Sequence, residues 1–170
     1  MGIDEDGILI YAKQILWKTR EASLFIDNKG KFLGNKTTTL EFIGILVPVL
    51  CCPDYFRNQH VVIQVDNIAC HFAWENGYAK EDNLATILVR CLVLIAAKLQ
   101  SVIYIVHHPR ESSWDSRLAD RFSRRKTTKK YEQQVLDSFI LPELPARFRQ
   151  WMNHPWEDWN LPMDLLHSIL

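Results

Sequence analysis

Val61-Val62-Ile63-Gln64-Val65-Asp66-Asn67 is the stretch on which the fold turns. Four of its first five residues are β-branched aliphatics, which favour a pleated, half-buried surface. An acid and an amide close the run where strand gives way to loop and helix. In open α/β sheets, ligands are held at the carboxyl ends of the strands. Asp66 is therefore read as a carboxylate that holds a divalent metal against a phosphate. The plainer reading makes it the cap of the following helix.

Working outward, the residues on both sides carry their own periodicities. Upstream, Thr37-Thr38-Thr39 opens a helical pattern with Leu40, Ile43, Val47 and Leu50 at turn spacing. Thr38 and Glu41 stand as a capping box, with Thr38 as N-cap. Pro48 is expected to kink or end this helix, and Cys52-Pro53 breaks it. Downstream, Asn67 to Trp74 reads as a short helix stopped at Asn76-Gly77. Asp82 caps a second helix, Leu84 to Leu99, which is apolar on almost every side and so expected to be deeply buried. Ser101 to Val106 is a further strand, ended by His107-His108-Pro109-Arg110. Trp114, Leu118 and Phe122 form the stripe of a last helix, capped by Ser112 or Ser113.

The N-terminal third reads as an antiparallel meander. Its strands are Ile8 to Trp17, Ala22 to Ile26 and Lys31 to Leu33, the last two joined by the turn Asp27-Asn28-Lys29-Gly30. The order is β-β-β-α-β-α-α-β-α. A Pro- and Trp-rich tail follows from Tyr131, and its tryptophans argue for packed short helices on the domain or on a partner. The expected division is one domain over 1–130 and the tail over 131–170.

Composition narrows the function. Formal net charge is +0, so no global basic field marks the chain for nucleic acid. A local basic cluster does exist: Arg121, Arg124, Arg125, Lys126, Lys129 and Lys130. The four cysteines include no C-x-x-C pair, which argues against zinc and for reduced thiols in an intracellular protein, cytoplasmic or nuclear. The longest apolar stretch, Phe42 to Cys52, is shorter than the roughly 20 residues a membrane span needs. The acidic start, Met1 to Asp6, has no signal-peptide core.

Three acids fall where an active site would want them: Glu41 at the head of a helix, Asp66 at the end of the central strand, and Asp120 on the last helix, off its apolar stripe. Two magnesium ions about 4 Å apart need several oxygen ligands, more than one acid supplies. Each acid also has a plainer role. Glu41 completes the capping box, and Asp120 pairs with Arg117 or Arg124 one turn away.

Four segments together carry a resemblance. Leu40-Glu41 heads a helix, Val61 to Asn67 follows, then Val106-His107-His108-Pro109-Arg110, then Leu118-Ala119-Asp120-Arg121-Phe122-Ser123-Arg124. In order and spacing, residues 35–125 resemble the ribonuclease H domain of retroelement reverse transcriptases of the DIRS-like and Gypsy-like kinds. The resemblance implies an α/β ribonuclease H-like fold, with a mixed five-stranded sheet in the order 3-2-1-4-5 and flanking helices. It implies metal-dependent cleavage of the RNA strand of an RNA/DNA hybrid, with Mg2+ or Mn2+ held by Glu41, Asp66, Asp120 and a first-strand acid. The strand Ile8 to Trp17 contains no acid, so Asp4 or Asp6 is the candidate for that place. His108, or His107, matches the family's histidine after the fifth strand. Asn67, Arg110, Arg121, Arg124, Arg125 and Lys126 are the expected nucleic-acid contacts. Ser116 stands where the family has Asn.

Two other functions fit the same residues. One is a catalytically degenerate module of this fold that binds nucleic acid or a protein, the latter through the Trp-rich tail. The other is an exonuclease or integrase-type nuclease of the same superfold, because fold does not fix substrate.

Overall fold

The computed structural model describes residues 2–3, 9–11, 25, 29, 33–109, 112, 117, 119 and 120. The chain divides into two compact units. One comprises Met1–Leu16 and His108–Glu143, the other Trp17–His107 and Leu144–Leu170. In the first unit, β1 (Gly2–Ile3) pairs antiparallel with β2 (Leu9–Tyr11). The rest of the expected strand Ile8 to Trp17 lies outside the described residues.

The second unit holds most of the described structure. A 3-10 turn, Gly34–Lys36, leads into α1 (Thr37–Cys51). Another, Pro53–Tyr55, leads towards β3 (His60–Val65). Then come α2 (Ile68–Asn76), α3 (Asn83–Leu99) and β4 (Val102–His107). β3 and β4 pair in parallel, from His60 opposite Val102 to Val65 opposite His107. Parallel neighbours need a long crossover, which α2 and α3 provide. The described residues thus form mixed helix and strand with a two-stranded parallel sheet.

Helix packing follows from the apolar faces. α1 buries Phe42, Ile43, Leu46 and Val49 against α3, whose Leu88, Leu92, Ile95 and Leu99 are fully buried. Removing one such side chain from water contributes about 1.5–3 kcal/mol. Ile103 and Ile105 of β4 complete the core. α3 is not buried all round, as its composition led us to expect. Arg90, Val93, Leu94, Ala97 and Lys98 form one exposed face.

Several local expectations need correction. α1 begins two residues earlier than the capping box requires. Lys36 occupies the N-cap position without a side-chain hydrogen bond, so Thr38 lies inside the helix. Glu41 then sits beyond the first turn, which contains no acid. The threonines are used otherwise: Thr37 Oγ1 donates to Gly34 O (2.8 Å) and Thr39 Oγ1 to Asp82 (2.8 Å). Pro48 does not end α1, which runs three residues further before Cys52 N–H bonds to Pro48 O. Of the expected strand Ala22 to Ile26, the one described residue, Phe25, is in a 3-10 conformation. Its carbonyl nonetheless accepts from Leu33 N–H (2.8 Å), and the expected turn Asp27 to Gly30 lies, but for Lys29, outside the described residues.

The remaining boundaries follow local rules. Gly77, at φ +73°, takes the left-handed position that ends α2. Asp82 caps α3 by accepting from Ala85 N–H (3.1 Å). Among the described residues no helix is long and apolar enough to cross a membrane.

Candidate functional site

The carboxyl end of β3 is the site to build. The strand delivers Asp66 half-buried at its tip. The cap of α2 is the next residue: Asn67 Oδ1 accepts from Ala69 N–H at 3.0 Å. The plainer role for Asp66 therefore belongs to its neighbour. Capping also occupies the oxygen of Asn67, which leaves its amide nitrogen as the group that can address a ligand.

One turn into α2 stands Cys70, with no exposed surface. Its Sγ donates weakly to Thr38 O, 3.9 Å away, which joins the start of α2 to the start of α1. Burial pushes this thiol far above its ordinary value, and the carboxylates of Glu41, Asp66 and Asp82 push it further in that order. The Coulomb interaction falls with distance, so three acids from three elements lie in reach of one sulfur. Glu41 and Asp66, widely separated in sequence, thus act on the same thiol. The thiol stays protonated among them, so the site offers hard carboxylate oxygens and no thiolate.

Asp82 has a different use from the other two. It is 4% exposed, accepts from Thr39 Oγ1 and Ala85 N–H, and lies 3.6 Å from Lys36 Nζ. A buried carboxylate with two hydrogen bonds and a cation is satisfied as a structural clamp between the starts of α1 and α3.

A histidine that the sequence did not single out lies beside this cluster. His71 Nδ1 contacts Ile105 O at 2.8 Å. A carbonyl can only accept, so Nδ1 carries the proton and Nε2 the lone pair. Val102 N–H donates to Gln59 O (2.9 Å). Backbone groups alternate along a strand, so the carbonyl of Ile105 points away from β3. His71 thus meets a carbonyl on the side of β4 away from β3.

Asp120 is half-buried and belongs to the other unit, as does His108. His107 ends β4 and is exposed. His108 is half-buried, with Nε2 shielded and lacking a hydrogen-bond partner among the described residues. Asp4, Asp6, Arg110, Arg121, Arg124, Arg125 and Lys126 lie outside the described residues. Among the described residues, no three acidic, histidine or cysteine side chains form a metal-binding group. No protein-family model, curated protein or solved structure matches the chain.

Proposed function

We propose that this chain is a ribonuclease H-type domain of retroelement origin that cleaves the RNA strand of RNA/DNA hybrids. The observation that supports the reading is that Asp66 closes β3 half-buried and without the capping role, which Asn67 takes, while the charges of Asp66 and the helix-borne Glu41 both bear on Cys70. A helix-borne Glu and a strand-end Asp are the pair the resemblance requires, and Asn67 relieves Asp66 of capping. The order helix, strand, two helices, parallel strand supports the fold as well. In a five-stranded sheet ordered 3-2-1-4-5, β3 and β4 would be the fourth and fifth strands. The backbone groups of His60, Val62 and Gln64 point to the side where that order places the first strand.

The two carboxylates present hard oxygens, the donor type that Mg2+ or Mn2+ takes. Glu41 and Asp66 would hold the metal with Asp120 and with Asp4 or Asp6. A bound metal supplies a lowered pKa for the attacking water and charge stabilisation for the leaving oxygen. The chain's own residues do the rest. Asn67 presents its amide nitrogen to the substrate backbone. Arg110 and the cluster Arg121, Arg124, Arg125 and Lys126 neutralise phosphates, which makes the hold weaken with salt. His108, or His107, serves product or proton release.

The test is a hybrid with a labelled RNA strand, incubated with Mg2+ or Mn2+. Cleavage is expected for the native chain and loss of it for Asp66→Asn and Glu41→Gln. An intact hybrid with the native chain in both metals overturns the reading. Calorimetric titration with Mg2+ should give heat for the native chain and much less for Asp66→Asn.

A second reading, a degenerate module of the same fold that binds without cleaving, draws on one observation. Asp82, the third acid in reach of Cys70, is already engaged by Thr39, Ala85 and Lys36. Retardation of the hybrid without cleavage in either metal would favour this reading.

A further inference from the structure

Beside β4, α2 (Ile68–Asn76) carries a pair of metal-type ligands that the nuclease reading does not use. They are His71 and Glu75, one turn apart on the helix. Side chains at this spacing are neighbours, with Cβ atoms about 5–6 Å apart. One ion with bonds of about 2 Å to each can close that gap. Glu75 is exposed, and His71 lies at the margin between buried and open surface.

His71 is already oriented as a ligand would be. Its Nδ1–H donates to Ile105 O at 2.8 Å. Metal-bound histidines ordinarily spend their other ring N–H in this way, on a carboxylate or a backbone carbonyl, which fixes the tautomer and the ring. The lone pair then sits on Nε2. Among the described residues, His108 Nε2 is the one shielded side-chain polar atom without a partner, so Nε2 of His71 is open to solvent. The ring also packs on Phe72, with centroids 5.4 Å apart.

Glu75 belongs to a last turn that is held in place. Asn76 Nδ2 donates back to Phe72 O (2.7 Å), and Gly77 N–H to Trp74 O (3.2 Å). The negative end of the helix dipole favours a cation in this turn. The donor set selects the ion, because an imidazole nitrogen with a carboxylate oxygen suits zinc better than Mg2+.

We propose that His71 Nε2 and the Glu75 carboxylate together bind one Zn2+ on the surface of α2, with water in the remaining positions. None of the residues assigned to cleavage takes part, so this inference and the nuclease reading stand or fall separately.

The test is zinc chloride titrated into the ¹⁵N-labelled full chain, followed in long-range ¹H–¹⁵N spectra of the histidine rings. Expected is a saturable shift of the His71 Nε2 signal, with Nδ1 still protonated. Glu75→Gln alters an exposed side chain and so leaves the fold intact. It should weaken the apparent affinity by about 10–100-fold, as loss of even a supporting partner does at metal sites. Glu75→His puts a second imidazole at the same spacing and should keep the binding. An unmoved His71 signal, shifts confined to other histidines, an affinity that Glu75→Gln leaves unchanged, or loss of binding in Glu75→His overturns the proposal.

Discussion

The hydroxyl of Thr39 donates to the carboxylate of Asp82 at 2.8 Å, across 43 residues of sequence, with both side chains buried. Asp82 in the same place caps α3 and faces Lys36. Asp82→Ala removes the cap, worth about 1 kcal/mol, and strands a buried hydroxyl, worth about 1–3 kcal/mol. A loss of roughly 2–4 kcal/mol in urea unfolding is expected. With Thr39→Val the pair should show a coupling energy above about 0.5 kcal/mol. Strict additivity would mean the bond does not stabilise the fold.

Asn67 and Gly77 frame α2 by different physics. Asn67→Ala should cost about 1 kcal/mol through the lost cap, whereas Asn67→Asp should be nearly neutral. A Cβ at Gly77 would meet no atom within 4 Å, so only the φ of +73° resists it. Gly77→Ala should therefore cost about 1–2 kcal/mol and Gly77→Asn less. Equal midpoints for the Ala and Asn variants in denaturant would contradict the left-handed conformation.

His71 is expected to be the Nδ1–H tautomer when neutral. Long-range ¹H–¹⁵N spectra should show Nδ1 as the protonated nitrogen, and Nε2–H would refute the bond to Ile105 O. His71→Phe keeps a ring but leaves that carbonyl without its donor. A loss of about 1 kcal/mol is expected, with faster amide exchange along β4.

The buried thiols set an alkaline limit. Burial pushes Cys91 from its ordinary 9.0 up to about 12, opposed by a backbone hydrogen bond, and Cys70 is raised further. A raised folded-state value means that the native chain keeps a proton the unfolded chain loses above pH 9. The contribution is whole below that pH and declines as pH rises towards the folded values. Each thiol should steepen the loss by about 1.4 kcal/mol per pH unit. Cys91→Ala should flatten the slope of unfolding free energy between pH 9 and 11, and an unchanged slope would rule this out.

What could be read from the sequence was what nearest neighbours determine. The β-branched run at Val61, the Asn76-Gly77 stop, the Asp82 cap and the apolar repeat of α3 each follow from a few adjacent residues, and each stands where expected. The start of α1 was misplaced because three successive threonines are equivalent locally. Tertiary demand separates them, through the partner of Thr39 at Asp82. Asp66 and Asn67 are adjacent and both can cap, so only geometry assigns the task to Asn67. Cys70 and His71 gave no periodic signal. Their meeting with Thr38 and Ile105 depends on how α2 lies between α1 and β4. The exposed face of α3 escaped notice because Val93 and Leu94 look the same in sequence whether they face core or water.

The ladder from His60 opposite Val102 to Val65 opposite His107 also fixes when the sheet can form. Every rung joins residues 42 positions apart (102 − 60), and no hairpin turn brings them together. Closing such a loop costs about 3 kcal/mol of chain entropy before the first rung is made. Helices form in about a microsecond or less, so α2 and α3 take shape first and shorten the gap. On a ribosome, β3 emerges well ahead of its partner and must wait through both helices. Its Val61-Val62-Ile63 is then the segment most in need of shielding from other unfinished chains.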